Sequence, residues 1–525
     1  MFDLRLTHDD ITPTRTWQWA GSRWRCGSSW VAPYRHQLTE QAALTDGIRT
    51  VFIAAARRAH INAARPEPVT VSPGTFDKTL RKLREDRDDW TTIELVPGQA
   101  ARIRTGSACT APQYLAVAGK VLHGSWDLLN LRDHQAPDRL DLVAVTRMIS
   151  LRNRYSASTL WQDVKLLTER ATAHFAEDGQ LLIQSPEPAE HTRARSLQTG
   201  TDPIPLFQDL LDRAVARLPW TGSRTAVQLS AGMDSTTVAL ALRAAPQGTA
   251  VTAGTVVLDG VRGIQQNERR QLILGHIASG WTGVTVNAMD HLPYGGTSRF
   301  SRAAWVSPTS DIYIDALETL SARFTDSGVR AVFTGIGGDE LMALTAAEDR
   351  SGPGQFEPDA PPWLGPAARA ALADVDAAIT PAAVVPETAL MAKTVCGPAL
   401  MRRGMWPIHP LTDPLLVRFC EWLPVDWRRR KHLMRELIDR TGMPGRVARP
   451  PIVENFHHII VTAMRQHGVP RIRQILNEGS PLIEARLLDP DGLAQVAKRL
   501  EAGSPTGDDH EVVFALLADS ALTVR

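Results

Sequence analysis

The chain has 525 residues but only four cysteines, Cys26, Cys109, Cys396 and Cys420, and no two of them form a CxxC pair. That scatter offers neither a disulfide framework nor a zinc site, and it suits a reducing compartment. A charge of one sign is also missing. Lys and Arg total 58 against 57 Asp and Glu, a net charge of +1, so electrostatics gives no reason to expect nucleic acid or a membrane surface as partner. No apolar run approaches the ~18–20 residues that span a bilayer, and Met1–Asp10 is too polar and acidic for a signal peptide. The expectation is a soluble, cytoplasmic protein. Its length suggests two or three domains, with the ordinary hydrophobic content of globular chains.

The first third reads as β-rich. Trp90–Leu95 and Ala101–Arg104 are strands joined across Pro97-Gly98, and Tyr114–Ala118 and Val121–Ser125 flank Gly119-Lys120 as a hairpin. Thr16–Trp24, Arg49–Ala55, Thr172–Phe175 and Leu181–Ile183 suggest further strands, and Asp141–Leu151 has helical spacing. An α+β domain over residues 1–184 is expected. Residues 185–204, rich in Ser, Pro, Glu and Thr, read as a linker. Residues 205–525 then alternate. Helices are expected at Pro205–Leu218, Ser235–Ala245, Asn267–Ala278 and Tyr313–Asp326. Strands are expected at Thr225–Leu229, Val251–Leu258, Gly283–Asn287 and Ala331–Thr334. This order predicts an α/β fold, a doubly wound parallel sheet covered on both faces. The start of Thr345–Pro386 reads as a mobile loop, and the chain is mainly helical from about Pro366.

The most informative segment is Val227-Gln228-Leu229-Ser230-Ala231-Gly232-Met233-Asp234-Ser235-Thr236, a strand running through small residues into a helix. Such a turn aims backbone N–H groups and the positive helix end at an anion. The main chain from Leu229 through Gly232 can approach phosphate, and Ser230, Ser235 and Thr236 can add hydroxyl donors. An aspartate inside an anion site needs a cation between it and the phosphates, so Asp234 implies Mg²⁺. The bland alternative is a tight turn with a capped helix. The Walker pattern is excluded, because no Lys-Ser/Thr pair follows the last glycine.

A second loop, Thr334-Gly335-Ile336-Gly337-Gly338-Asp339-Glu340, repeats the logic after another apolar strand. Gly335 and Gly337 supply the turn, and Asp339 would join Asp234 as a metal ligand at the strand ends where open α/β sheets bind ligands. Alone such a string is more often a turn and cap.

The first loop resembles the pyrophosphate loop of the ATP-pyrophosphatase group, Ser-Gly-Gly-x-Asp-Ser, with Ala231 in place of the first glycine. The two loops together resemble the synthetase domain of the asparagine synthetase superfamily, an adenine nucleotide α-hydrolase-like fold. That superfamily includes asparagine synthetases, β-lactam synthetases and the macrolactam cyclases of lasso peptides. The resemblance extends to Asn267-Glu268, with Glu268 beside the nucleotide, to His409–Val417, and to Lys431-His432-Leu433-Met434-Arg435. It covers residues 205–460 well.

The resemblance implies ATP and Mg²⁺, a carboxylate activated as its acyl-adenylate, and Lys431 as the cation that stabilises charge on the reacting groups. The alternative for Lys431 is a solvated basic run, Arg428–Lys431. Glutamine-dependent members of the superfamily carry an N-terminal nucleophilic cysteine at residue one, whereas Phe2 follows Met1 here. The implied N-terminal domain is therefore a degenerate glutamine-amidotransferase-like (N-terminal-nucleophile-hydrolase-like) unit, and the amine belongs to the substrate. The β-lactam enzymes carry a Tyr where this chain has Ile336, an aliphatic residue that cannot abstract a proton. A peptide α-amine, with a pKa of roughly 7.7–8.0, needs less help. Macrolactam cyclisation of a peptide such as a lasso precursor is thus expected, with a leader peptidase or precursor-recognition protein as further partners. A β-lactam synthetase-like or other amide ligase acting on a small-molecule carboxylate and amine is the alternative, then an asparagine synthetase, and a pseudoenzyme or partner-binding scaffold is the non-enzyme alternative.

Overall fold

The computed structural model describes residues 1–12, 15–57, 67–85, 88–277, 280–301, 306–345, 348–349, 360–503 and 508–523. Two seven-stranded sheets fill the first 184 residues. One of them is antiparallel throughout and has Phe2–Thr7 at its centre, between Val121–Ser125 and Ser29–Pro33. The period of two is plain there: Phe2, Leu4 and Leu6 are buried, while Asp3 and Arg5 alternate with them. The expected Thr16–Trp24 strand is a hairpin instead, Gln18–Ala20 paired with Arg23–Cys26. The other expected strands and the Gly119-Lys120 hairpin are present. A helix at Pro73–Glu85, whose residues are mostly polar and charged, joins them.

Residues 185–203 carry no regular element and run along the C-terminal unit, where Ala189 N–H donates to the Ala382 carbonyl and the Arg195 guanidinium lies over Trp422. The third sheet has five parallel strands in the order Thr282–Asn287, Thr252–Val257, Thr225–Gln228, Ala331–Phe333, Trp406–Ile408. The first three strands run outward from the centre in one direction. The chain then crosses back to place Ala331–Phe333 on the other side of Thr225–Gln228. This reversal is a topological switch point, the place where open sheets leave a crevice at their C-terminal edge. The mixed α/β architecture agrees with the expectation. The fifth strand, Trp406–Ile408, was not foreseen; it is three residues long and contains a proline, and it forms an edge, where proline is tolerated.

Helices Ile204–Ala216, Met233–Ala244 and Ile314–Asp326 lie within a few residues of expectation. The fourth does not. It spans Gly260–Ile277, so Asn267-Glu268 sit in its middle and not at its start. Ala278, which ended the expected helix, lies outside the described residues, as do most of residues 345–359, expected to form a loop. From Pro366 onward the regular elements among the described residues are helices, apart from the Trp406–Ile408 strand. Among the described residues no helix is long and apolar enough to cross a membrane.

The hydrophobic core ignores the sequence boundary between the two units. Phe2, Trp24 and Phe52 belong to the same buried cluster as Phe207, Val227 and Trp406. Polar ties cross the same boundary: Arg402 holds Asp127 at 2.9 Å, Arg217 pairs with Asp88, and Lys393 donates to the Ala108 carbonyl at 2.9 Å. The N-terminal sheets therefore form one wall of the space in front of the parallel sheet.

Candidate active site

The central strand ends at Gln228, and the next three residues, Leu229 to Ala231, lead into the Met233–Ala244 helix. Leu229 is fully buried, and its N–H continues the sheet by donating to the Gly254 carbonyl at 2.7 Å. Ala231 adopts φ +67°, a left-handed conformation that a glycine takes freely and an alanine takes at a cost of about 1–2 kcal/mol. Gly232 is the N-cap, and no side chain caps the helix. The first-turn N–H groups are therefore left without a side-chain cap, the arrangement that can receive an anion.

Ser235 and Thr236 are both buried, and both hydroxyls donate back to the Gly232 carbonyl, at 3.1 and 2.8 Å, which shapes the loop. Ser230 and Ser235 also face each other, Oγ to Oγ, at 3.2 Å.

The neighbouring strand, Ala331–Phe333, ends in the second acidic loop. Gly337 has φ +98°, and a Cβ there would press on Thr412 and the Leu411 carbonyl. Gly335 and Gly338 lie directly on the first loop; a Cβ at 338 would fall 2.2 Å from the Asp234 carboxyl carbon. The glycines thus let the two loops touch. Buried His409 steadies the second loop, its Nδ1 lying 2.7 Å from the Thr334 hydroxyl. Burial holds the His409 pKa well below the ordinary value, so the ring is neutral.

The two loops converge on Lys431. Its Nζ donates to both Asp234 oxygens, at 2.7 and 2.6 Å, and lies 2.6 Å from Asp339 Oδ1. Burial is the largest single influence on this lysine and works against its charge, yet the carboxylates together outweigh it and hold its pKa above the ordinary value. Asp234 is pushed up, first by burial and further by Asp339 and Glu340, while Lys431 pulls it back. Asp339 is far more open, with 85% of its side chain exposed.

The basic run is therefore no uniform solvated face. Arg428 is buried and donates to the Ala343 carbonyl at 2.8 Å, Lys431 meets the acids, and only Arg430 is exposed. Arg435 donates to the Arg430 carbonyl at 2.7 Å and also to Ala448, a structural role, and Arg449 pairs with Asp439 and Glu436 at the surface.

Asp234 and Asp339 fit a hard divalent cation. They are oxygen donors from adjacent loops, and each already turns to a single positive group. Glu268, expected beside the nucleotide, is exposed on the helix. The helix begins seven residues earlier than expected and turns Gln266, Arg269 and Arg270 inward instead. Gln266 is the residue the sequence reading missed. Its amide donates to the Ser230 carbonyl at 3.2 Å while its oxygen accepts from Leu258 N–H at 2.8 Å, which ties the first loop to the adjacent strand. The signal was its place one turn before buried Arg270, on the inner face.

Residues 206–392 match the asparagine synthase family model. The match takes in both acidic loops and stops short of Lys431. It supports a place for this segment in the asparagine synthetase superfamily, and with it ATP-dependent amide-ligase chemistry in general. None of the curated proteins matches the chain.

Proposed function

We propose that the chain is an ATP-dependent carbon–nitrogen ligase that activates a carboxylate as its acyl-adenylate, releases AMP and pyrophosphate, and joins the acyl group to a substrate amine. The observation that carries this reading is the convergence of two acidic loops from adjacent parallel strands on one half-buried lysine. The uncapped helix start at Gly232, with Ser230 and Ser235, would receive the triphosphate. Asp234 and Asp339 would hold Mg²⁺, which supplies charge neutralisation to the triphosphate when bound. Lys431 lies where a fixed cation can stabilise negative charge on the reacting carboxyl and the departing phosphate.

The substrate reading is macrolactam formation: a peptide amine closes on an Asp or Glu side chain, as in a lasso precursor. Ile336 supports it, since an aliphatic side chain at that position cannot abstract a proton, and a peptide α-amine is partly neutral at physiological pH. The N-terminal unit is read as a non-catalytic amidotransferase-like domain. In support, Cys26 is buried, its thiol lies 3.4 Å from the Asp10 carbonyl, and burial raises its pKa away from thiolate.

The test is exchange of labelled pyrophosphate into ATP, dependent on Mg²⁺ and on a candidate acid. A peptide that loses one water alongside stoichiometric AMP would support cyclisation. Stoichiometric ADP would overturn the adenylate reading, and exchange without any peptide product would shift the substrate to a small-molecule acid and amine.

A further inference from the structure

Beneath the two loops lies a cavity of about 680 Å³, walled by the N-terminal unit on one side and the parallel sheet on the other. Gln228 and Ile336 reach it from the ends of the two central strands; Tyr114, Tyr155, Leu317 and Met391 make it largely apolar. Its polar groups are not equivalent. Two arginines line it from the N-terminal side and both are engaged elsewhere: Arg147 donates from Nε to the Val375 carbonyl at 2.7 Å, from Nη1 to Ser156 at 3.0 Å and from Nη2 to the Ala377 carbonyl, and Arg154 pairs with Asp376 at 2.6 Å. Glu318 is held by Arg299 and Arg403.

Asp311 differs. Its carboxylate accepts a hydrogen bond from Tyr313 N–H at 2.8 Å, and among the described residues no ion pair accompanies it. A carboxylate fronting an apolar cavity is costly unless it is protonated or meets a positive group, and burial does push the Asp311 pKa up. Asp234, also pushed up by burial, has Lys431. Asp311 has nothing comparable.

We propose that this cavity is the site for the amine-bearing substrate, which enters as an ammonium on an apolar chain and is anchored by Asp311. This rests on the ligase reading and gives the amine that the reading calls for a binding site. The cavity reaches Ile336 and Gln228, so an amine held at Asp311 lies in the same chamber as the reacting carboxyl. Asp311 can then accept the proton that the ammonium must lose before its nitrogen attacks. The nitrogen–carbon bond forms as the acyl–phosphate bond breaks, and the departing AMP phosphate takes the second proton that the nitrogen loses as the amide forms.

The experiment uses the full chain without nucleotide, so that it reads the cavity and not the ATP site. Binding of 2-phenylethylamine, 2-phenylethanol and 3-phenylpropionate is measured by calorimetry on wild type and on Asp311→Asn. A charge-assisted hydrogen bond of ordinary strength predicts that the amine binds about ten- to a hundredfold more tightly than the alcohol, with the acid weakest. Asp311→Asn should bring the amine down to the level of the alcohol while alcohol binding stays unchanged, which also shows that the variant cavity is intact. Equal binding of amine and alcohol by wild type, tighter binding of the acid, or undiminished amine binding by Asp311→Asn would each overturn the proposal. If Asp311→Asn loses alcohol binding too, Asp311→Glu decides: recovered amine preference upholds the anchor and its absence overturns it. Pyrophosphate exchange assayed in parallel keeps a failure here separate from a failure of the ligase reading.

Discussion

Replacing Lys431 with Met keeps most of the side chain's packing and removes its charge. Two consequences follow from the geometry. Asp234, already pushed up by burial and by its acidic neighbours, loses the cation within 2.7 Å that opposes them. Breaking a fully buried pair costs about 3–5 kcal/mol. Here Asp339 is mostly exposed and can turn to solvent, which reduces the expected loss of stability to about 1–2 kcal/mol. The catalytic loss is larger. Removing one electrostatic stabiliser of a developing charge typically costs roughly 10²–10³ in rate, or about 2.7–4 kcal/mol. Lys431→Met should therefore make AMP and pyrophosphate at no more than about a hundredth of the wild-type rate. MgATP binding by calorimetry should stay close to wild type, because the helix start and the serines are untouched. The variant should also gain more thermal stability from Mg²⁺ than wild type does, since the metal replaces the lost positive charge between two acids. Lys431→Arg should rescue poorly, as a planar guanidinium presents its charge differently. Wild-type turnover in Lys431→Met, or no added response to Mg²⁺, would refute the reasoning and return the basic run to a structural role.

Asp234→Asn and Asp339→Asn should each abolish Mg²⁺-dependent ATP turnover in a folded protein, checked by pyrophosphate exchange and circular dichroism; near-normal turnover removes that residue from the metal site. Gly338→Ala should cut turnover at least ~100-fold, since a misplaced reacting group can cost that much, because its methyl would displace the Asp234 carboxylate. His36 titrates in a definite direction. Burial lowers its pKa to about 4, so the folded state binds fewer protons than the unfolded one between about pH 6.5 and 4. Its contribution is complete above pH 6.5 and is lost as pH falls through that window, by up to about 1.4 kcal/mol per pH unit. Denaturant unfolding of wild type minus His36→Gln should show that slope, and a flat difference would refute it. Arg430→Gly should raise the melting temperature modestly and leave turnover intact, because a left-handed residue is relieved on an exposed position, for up to about 1 kcal/mol.

Most of the parallel sheet was legible because its strands are apolar runs closed by loops of glycine, serine and acid, a pattern with few other uses. What escaped was set by tertiary context. Phe2–Thr7 alternates cleanly, but its charged residues, set beside Asp9 and Asp10, made the N-terminus read as polar, whereas Leu4 and Leu6 are the half that faces the core. Trp406–Ile408 is too short to carry any period and becomes a strand only by lying beside Ala331–Phe333. The start of the Gly260–Ile277 helix was hidden by its own composition: Gly260 and Gly263, with β-branched Val261 and Ile264, give weak helical propensity, and the helix is fixed by Gln265, Gln266 and Arg269, which bond to neighbouring segments. Glu268 was misplaced as a result. The cavity and Asp311 could not be read from sequence at all, because their walls come from segments separated by more than two hundred residues.

The placement of Lys431 itself follows a rule that sequence statistics would have argued against. Arg430 and Lys431 are consecutive left-handed residues, φ +51° and +56°, in a chain that uses glycine at many other positive-φ positions. Each such residue costs on the order of 1 kcal/mol, and two in succession persist only where the surroundings over-determine them. The surroundings here are identifiable. Arg435 grips the Arg430 carbonyl, Arg428 is anchored on Ala343 before the kink, and His432–Arg440 packs with Leu433 and Met434 in the core after it. These contacts fix the chain on both sides, so the strain falls on the two residues between them and turns Lys431 onto Asp234 and Asp339. A packing requirement alone would be met more cheaply by a glycine at either position. A glycine at 431, however, would carry no ammonium. Strain retained at the one residue that joins both acidic loops is what a functional cation predicts, and a solvated basic run gives no reason for it.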